Sequence, residues 1–200
     1  MTRFLSFLLL AACALPAFGG SSIFLVARAD MPDPNFHDAV ILLVRPDNGP
    51  PVGVIVNRPT PIPIGGFFPE IDNIVRGDEK VHIGGPVQRQ AVIFLFKADA
   101  KPEEAEEVLE GVYMASNRKL LHDILSGERK VDGLRVFLGY AGWGPEQLED
   151  ELERDDWIIE PASIDAIFTD DPDGLWSDVL RRKGGHYELV SRMPLDPSLN

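Results

Sequence analysis

The stretch Leu138-Gly139-Tyr140-Ala141-Gly142-Trp143-Gly144-Pro145-Glu146-Gln147-Leu148 decides how this chain folds. Its glycines alternate with two aromatic residues, between an apolar run and an acidic amphipathic segment. Glycine is needed where φ is positive or where another backbone passes close by. Tyr140 and Trp143 bring large apolar faces, each with one polar atom. The combination predicts a buried, sharply bent strand-to-helix junction in which Gly139, Tyr140, Gly142, Trp143, Gly144 and Pro145 are structural. The Trp143 indole is expected to pack under a helix beginning near Pro145.

Downstream, Pro145 to Arg154 reads as a helix using Leu148 and Leu152, and Trp157 to Glu160 as a short strand. Ser163 caps a brief helix through Phe168. A last helix starts at Asp171-Pro172 and ends in Arg181-Arg182-Lys183-Gly184-Gly185, acid first and base last as the helix dipole favours. Residues 186–200 are expected to form an extra edge strand, Tyr187 to Ser191, and a loose tail.

Upstream, Leu134 to Gly139 reads as a strand. Before it, Asn117 to Ser126 forms a helix on Leu120, Leu121, Ile124 and Leu125, with Gly127 as its stop. Pro102 can open another helix, whose stripe would be Ala105, Val108, Leu109, Val112 and Tyr113. Val81 to Ile83 and Ala91 to Lys97 are strands joined by Gly84-Gly85-Pro86-Val87. Prolines and glycines from Pro59 to Phe68 predict a long irregular loop. Ala39 to Arg45 and Val52 to Asn57 flank Asn48-Gly49, a hairpin signal that pairs them antiparallel. Ile23 to Arg28 supplies the first strand. Strands cluster early and helices late, giving one mixed-sheet domain on the border of α/β and α+β.

Residues 1–19 stand apart from this domain. Arg3 and the apolar run Phe4 to Ala12 are too short to cross a bilayer, which needs about 20 residues, and read as a signal peptide. Leu10-Ala11-Ala12-Cys13 looks like a lipobox, which would lipidate Cys13 and anchor the protein to the membrane, facing the periplasm. Ordinary cleavage after Ala17-Phe18-Gly19 is the rival reading. A start codon assigned too far upstream of a cytoplasmic protein is the third. Cys13 is the single cysteine, so no internal disulfide can form.

Charge narrows the function. With 32 acidic and 19 basic residues the net charge is −13, which repels phosphate backbones and opposes nucleic-acid binding. Chemistry is hard to find. No Gly-x-Ser-x-Gly elbow is present, and the four histidines have no metal-binding spacing. No cofactor, metal or catalytic residue is expected. Gly84-Gly85-Pro86 lacks the Lys and Ser/Thr of a phosphate loop and reads as a tight turn. Asp30, Asp33, Asp38 and Asn35 match no calcium loop. The Glu-rich segments at 103–110 and 146–156 read as solvated helix faces. Asn57, Arg58, Gly84, Gly85, Ser116, Asn117 and Arg118 are loop residues at element ends, where function concentrates. They form the candidate site for a small anionic ligand, with a structural role for Arg58 as the plainer reading.

An ordered set of motifs resembles the YqgE/AlgH family of bacterial proteins over Ser22 to Gly185. Its carriers are Phe24-Leu25-Val26-Ala27, Met31-x-Asp33-Pro34-x-Phe36, Gly53 to Pro59, Gly84-Gly85-Pro86-Val87 and Ser116-Asn117-Arg118. Leu138 to Leu148, Trp157, Pro161 and Leu175-Trp176 complete the set. The resemblance implies a curved, partly barrel-like mixed sheet flanked by helices. One branch of the family has been called a transcriptional regulator, a role the acidic charge opposes here. The expectation is a non-enzymatic binding or accessory protein of the envelope, whose partner is an unknown protein or a small anionic ligand. The alternative is a weak hydrolase-like or nucleotide-related enzyme acting at the same loops.

Overall fold

The computed structural model describes residues 22–45 and 50–191, with the backbone alone over 184–191. The leader with Cys13, the Asn48-Gly49 turn and the tail beyond Ser191 lie outside the described residues. The strands are β1 Ile23–Ala27, β2 Val40–Val44, β3 Val52–Ile55, β4 Pro59–Pro63, β5 Lys80–Ile83, β6 Val87–Lys97, β7 Glu106–Leu109, β8 Val112–Ala115, β9 Gly133–Gly142 and β10 Trp157–Pro161. The helices are α1 Ile64–Phe67, α2 Arg118–Leu125, α3 Gln147–Glu153, α4 Ile164–Ile167 and α5 Leu175–Ser191.

The strands form one sheet in the order β10-β1-β2-β3-β9-β6-β8-β7, with β5 on β9 and β4 on β5. Every pairing is antiparallel except β5 with β9, where Val81, His82 and Ile83 run beside Val136, Phe137 and Leu138. Both faces of the sheet are covered, so strands such as Val40-Ile41-Leu42-Leu43-Val44 read as continuous apolar runs. On one face Phe24, Val26, Leu42, Val54, Leu95 and Phe137 meet Ile167, Leu175 and Val179 of α4 and α5. The other face carries two cores. Leu120, Leu121, Ile124 and Leu125 of α2 cover Phe94, Phe96, Leu134 and Val136. Leu148 of α3 joins Leu25, Ile41, Ile55, Trp143 and Trp157. The Trp176 indole N–H donates to the Ala27 carbonyl at 2.7 Å and fastens α5 to β1.

Three expected elements are replaced. The helix over 102–113 is the hairpin β7–β8, whose register runs Glu106 opposite Met114 and Glu107 opposite Tyr113. A helical stripe would send Val108, Val112 and Tyr113 to one face. Instead Val108 and Val112 join the core under α4 and α5, while Tyr113 packs beside Phe96 on the opposite face. Gly111 turns the chain at φ 72°, a conformation that suits glycine. The Pro59–Phe68 loop is instead β4 followed by α1. Its prolines are tolerated because β4 pairs with β5 alone, and an edge strand needs no ladder donor on its free side. The Tyr187–Ser191 strand is the end of α5, which runs through Gly184 and Gly185. Glycine costs a helix only about 1 kcal/mol relative to alanine, so it weakens the helix without forbidding it.

The predicted corner also shifts. Leu138 to Gly142 remain in β9, and the chain turns over Trp143 to Glu146 before α3. Glu146 takes the left-handed conformation at φ 64°. Trp143 is buried at 4% exposure, whereas Gly144 and Pro145 are exposed.

Candidate functional site

The site is built where three stretches of backbone cross. Gly84 donates its N–H to the Leu138 carbonyl at 2.8 Å and accepts from Ile55 N–H at 2.9 Å. A Cβ on Gly84 would strike the Gly139 carbonyl oxygen, and one on Gly85 would strike the main chain of Tyr140. A Cβ on Gly139, whose φ is 69°, would sit 2.5 Å from Gly85 O and 2.9 Å from Val87 O. Only glycines let the main chains approach this closely.

The crossing forces a bulge. Val87 pairs with Tyr140 and Val92 with Leu138, so β6 advances from 87 to 92 while β9 moves only from 140 to 138. The surplus residues Gln88, Arg89 and Gln90 are thrown outward and exposed, with Gln88 at φ 43°. Bulges commonly re-aim a side chain in this way.

A cleft of about 350 Å³ opens beside the crossing. Ile83, Pro86 and Leu138 line it with apolar surface, Gly85 lies against it, and Arg58, Arg89 and Asn35 supply the polar groups. Ile83 is 42% exposed, one of few large apolar side chains left open. Arg58 is half-buried and donates through Nη1 to Asn35 O at 2.8 Å and through Nη2 to His37 O at 2.9 Å. Burial holds its guanidinium below the ordinary arginine range, with the Asp38 charge acting in the opposite direction.

The candidate residues thus separate. Arg58 and Gly85 border the cleft, and Gly84 lies in the crossing next to it. Asn57 is buried; its Oδ1 accepts from Val40 N–H at 2.8 Å and its Nδ2 donates to Asp38 O at 2.8 Å, closing the entry to β2. Ser116, Asn117 and Arg118 do not line the cleft. Asn117 caps α2, its Oδ1 accepting from Leu120 N–H at 2.9 Å. Asn35, Ile83, Pro86, Arg89 and Leu138 also line the cleft and were missed as site residues. The one sequence signal for Arg89 is the polar triplet Gln88-Arg89-Gln90 interrupting a strand.

His82, one of the four histidines without metal-binding spacing, is 4% exposed. Its Nδ1 lies 3.1 Å from Lys80 O, which makes Nδ1 the donor, and Nε2 has no partner among the described residues. Burial, reinforced by the Arg135 charge, pushes its pKa down to about 4 against the opposing influence of the Lys80 carbonyl and Asp173. His82 is therefore neutral at ordinary pH. Among the described residues no three His, Cys, Asp or Glu side chains converge to hold a metal ion.

These features define a mixed α+β domain whose mostly antiparallel sheet curls into a half-barrel, with a glycine crossing and a small open cleft at its middle. The chain belongs to the AlgH-like family (DUF179), whose model matches residues 24–188. It is 35% identical over 177 residues to a UPF0301 protein of Chlorobaculum parvum, covering 88% of this chain and 93% of that one. A UPF0301 protein of Streptomyces coelicolor is 37% identical over 184 residues, with coverages of 88% and 93%. The solution structure of AlgH from Pseudomonas aeruginosa superimposes with a TM-score of 0.68 at 26% identity, over 91% of this chain and 97% of that one. A crystal structure from Corynebacterium diphtheriae gives 0.67 at 26% identity, over 82% and 86%.

Proposed function

We propose that this protein is a non-enzymatic binding or accessory protein of the bacterial envelope, anchored through lipid at Cys13, that takes an anionic partner in the Arg58–Arg89 cleft. One observation carries the binding role. In a chain of 32 acidic and 19 basic residues, the cleft is lined by two arginines and no carboxylate. Guanidinium groups pair with carboxylates and phosphates through charge-assisted hydrogen bonds. The hydrolase-like or nucleotide-related alternative uses the same cleft, but its lining offers no Ser, Cys, His, Asp or Glu to act as nucleophile or base.

A thermal-shift screen with carboxylates, phosphates and nucleotides tests the binding role, because a ligand that prefers the native state raises the melting temperature. No shift across the screen removes it. Fractionation of wild type and Cys13→Ser with labelled palmitate tests the anchor. A bacterial lipoprotein's several acyl chains hold firmly where one alone is marginal. Soluble, unlabelled wild type eliminates the lipoprotein.

A further inference from the structure

We infer that the cleft selects a small monocarboxylate with an apolar body, Arg89 gripping the carboxylate while Ile83, Pro86 and Leu138 receive the body. This rests on the binding role above and names its ligand class. The donor inventory disfavours a phosphate cradle. Sites that hold phosphate offer several converging backbone N–H groups. Here the Gly84 N–H is spent on the Leu138 carbonyl, and Pro86 has no N–H to give. Arg58 spends one N–H of each Nη on the Asn35 and His37 carbonyls, which fixes the plane of its guanidinium. It contributes its charge and holds the 35–37 loop at the rim.

Arg89 is different. It makes no hydrogen bond or ion pair with another described residue, and the bulge delivers it to the cleft. One unspent guanidinium fork matches one carboxylate, which it can bind through two parallel N–H donors. The rest of the lining is mainly apolar, a poor environment for a strongly hydrated dianion and a good one for an aromatic or branched aliphatic body. The volume of about 350 Å³ falls at the lower end of the ~300–1,000 Å³ typical of small-molecule sites. It suits an organic acid, or equally the apolar last residue of a peptide.

The test is calorimetric titration of the purified full chain with 3-phenylpropionate, its primary amide, inorganic phosphate, and a short peptide ending in a free Phe carboxylate. The acid is expected to bind and the amide to fail. Arg89→Ala should weaken the acid about ten-fold or more, the scale of a lost charged hydrogen-bonding pair, and Arg89→Lys less, because charge survives without the fork. Ile83→Ser should also weaken the acid while leaving the circular dichroism spectrum unchanged. A tighter peptide assigns the carboxylate to a chain terminus, and a tighter free acid assigns it to a metabolite-sized molecule; both support the assignment. Amide binding equal to the acid, or full affinity in Arg89→Ala, overturns it. Phosphate binding that Arg89→Ala abolishes, with no binding of either carboxylate, overturns the ligand class and leaves the binding cleft standing. Silence from all four probes removes class and cleft together.

Discussion

Two regions of this molecule share a vocabulary of glycine, aromatic and polar residues and use it differently. Around Trp143 the indole N–H groups and the Glu151 carboxylate are all partnered. Phe36 stacks on Trp143 at 6.4 Å with planes 14° apart and meets Trp157 edge-on at 5.5 Å. Glu151 Oε2 accepts from the Trp143 indole N–H at 2.9 Å and from that of Trp157 at 2.8 Å, while Gln147 donates to Oε1 at 2.9 Å. Around Gly84 and Gly85 the backbone is as tightly packed, yet Ile83 is open and Arg89 is unpaired among the described residues. Both contain the residue types that invite a functional reading. What separates them is satisfaction of side chains: the first region is closed, and the second keeps surface and charge in reserve.

The largest expected effect tests the closed region. Trp143→Ala should cost ~3–5 kcal/mol, as buried aromatic truncations do, a large share of a domain's ~5–15 kcal/mol. Trp143→Phe should be milder. Urea unfolding of the variants measures this, and a fully stable Trp143→Ala with a selective binding defect would reverse the roles of the two regions.

Acidification comes next and probes the sheet beside the cleft. His82 titrates near 4 in the folded chain against an ordinary 6.5, so below the ordinary value the unfolded chain binds more protons than the native one. Its contribution to stability is fully present above about pH 6.5 and is lost as pH falls toward 4. The displacement is worth on the order of 3 kcal/mol. The difference in unfolding free energy between wild type and His82→Gln should therefore depend on pH across that window; a constant difference from pH 7 to 4 would show that His82 is not held neutral.

Glu151→Ala should cost about 2 kcal/mol by leaving two buried indole N–H groups without an acceptor. Glu151→Gln, which keeps an acceptor oxygen, should recover part of the loss in the same unfolding assay. The smallest effect belongs to the open region: Arg89→Ala should change stability by under about 0.5 kcal/mol, as substitutions of unengaged surface residues do. A loss of 2 kcal/mol there would mean that Arg89 is part of the scaffold, and the contrast between the regions would fail.

Local signals in the sequence carried much of the fold. The antiparallel pairing of β2 with β3 follows from two apolar runs either side of Asn48-Gly49, and is found with Leu42 opposite Val54. The Ser163 cap follows from short-range hydrogen bonding, its Oγ accepting from Ala166 N–H at 3.3 Å. The Pro102–Tyr113 segment misled because Pro102, Ala105 and Val108 are buried at three-residue spacing. That spacing imitates a helix until Gly111 turns the chain. The candidate site was half legible. Arg58 and Gly85 could be picked out as a charge and a glycine at strand ends, but their proximity depends on β4 pairing antiparallel with β5, Pro59 opposite His82, and on Ile83 N–H reaching the Arg58 carbonyl at 2.9 Å. Arg89 reaches the cleft through a register shift, and register is settled by pairing partners far away in the chain. Ser116 to Arg118 share the same motif-rich appearance but belong to the start of α2.

The place of β9 in the sheet bears on when the protein can fold. It sits between β3 and β6 and also carries β5, so the three strand groups that hold β3, β5 and β6 are not joined into one sheet until residues 133–142 have been made. β10, made later still, covers the outer edge of β1. Such long-range pairings are slow to form because loop closure precedes the contacts that reward it. A growing chain that has reached α2 holds strands with no common sheet, and nascent portions of the domain gain little stability of their own. Folding of the whole sheet therefore waits for the last third of the polypeptide.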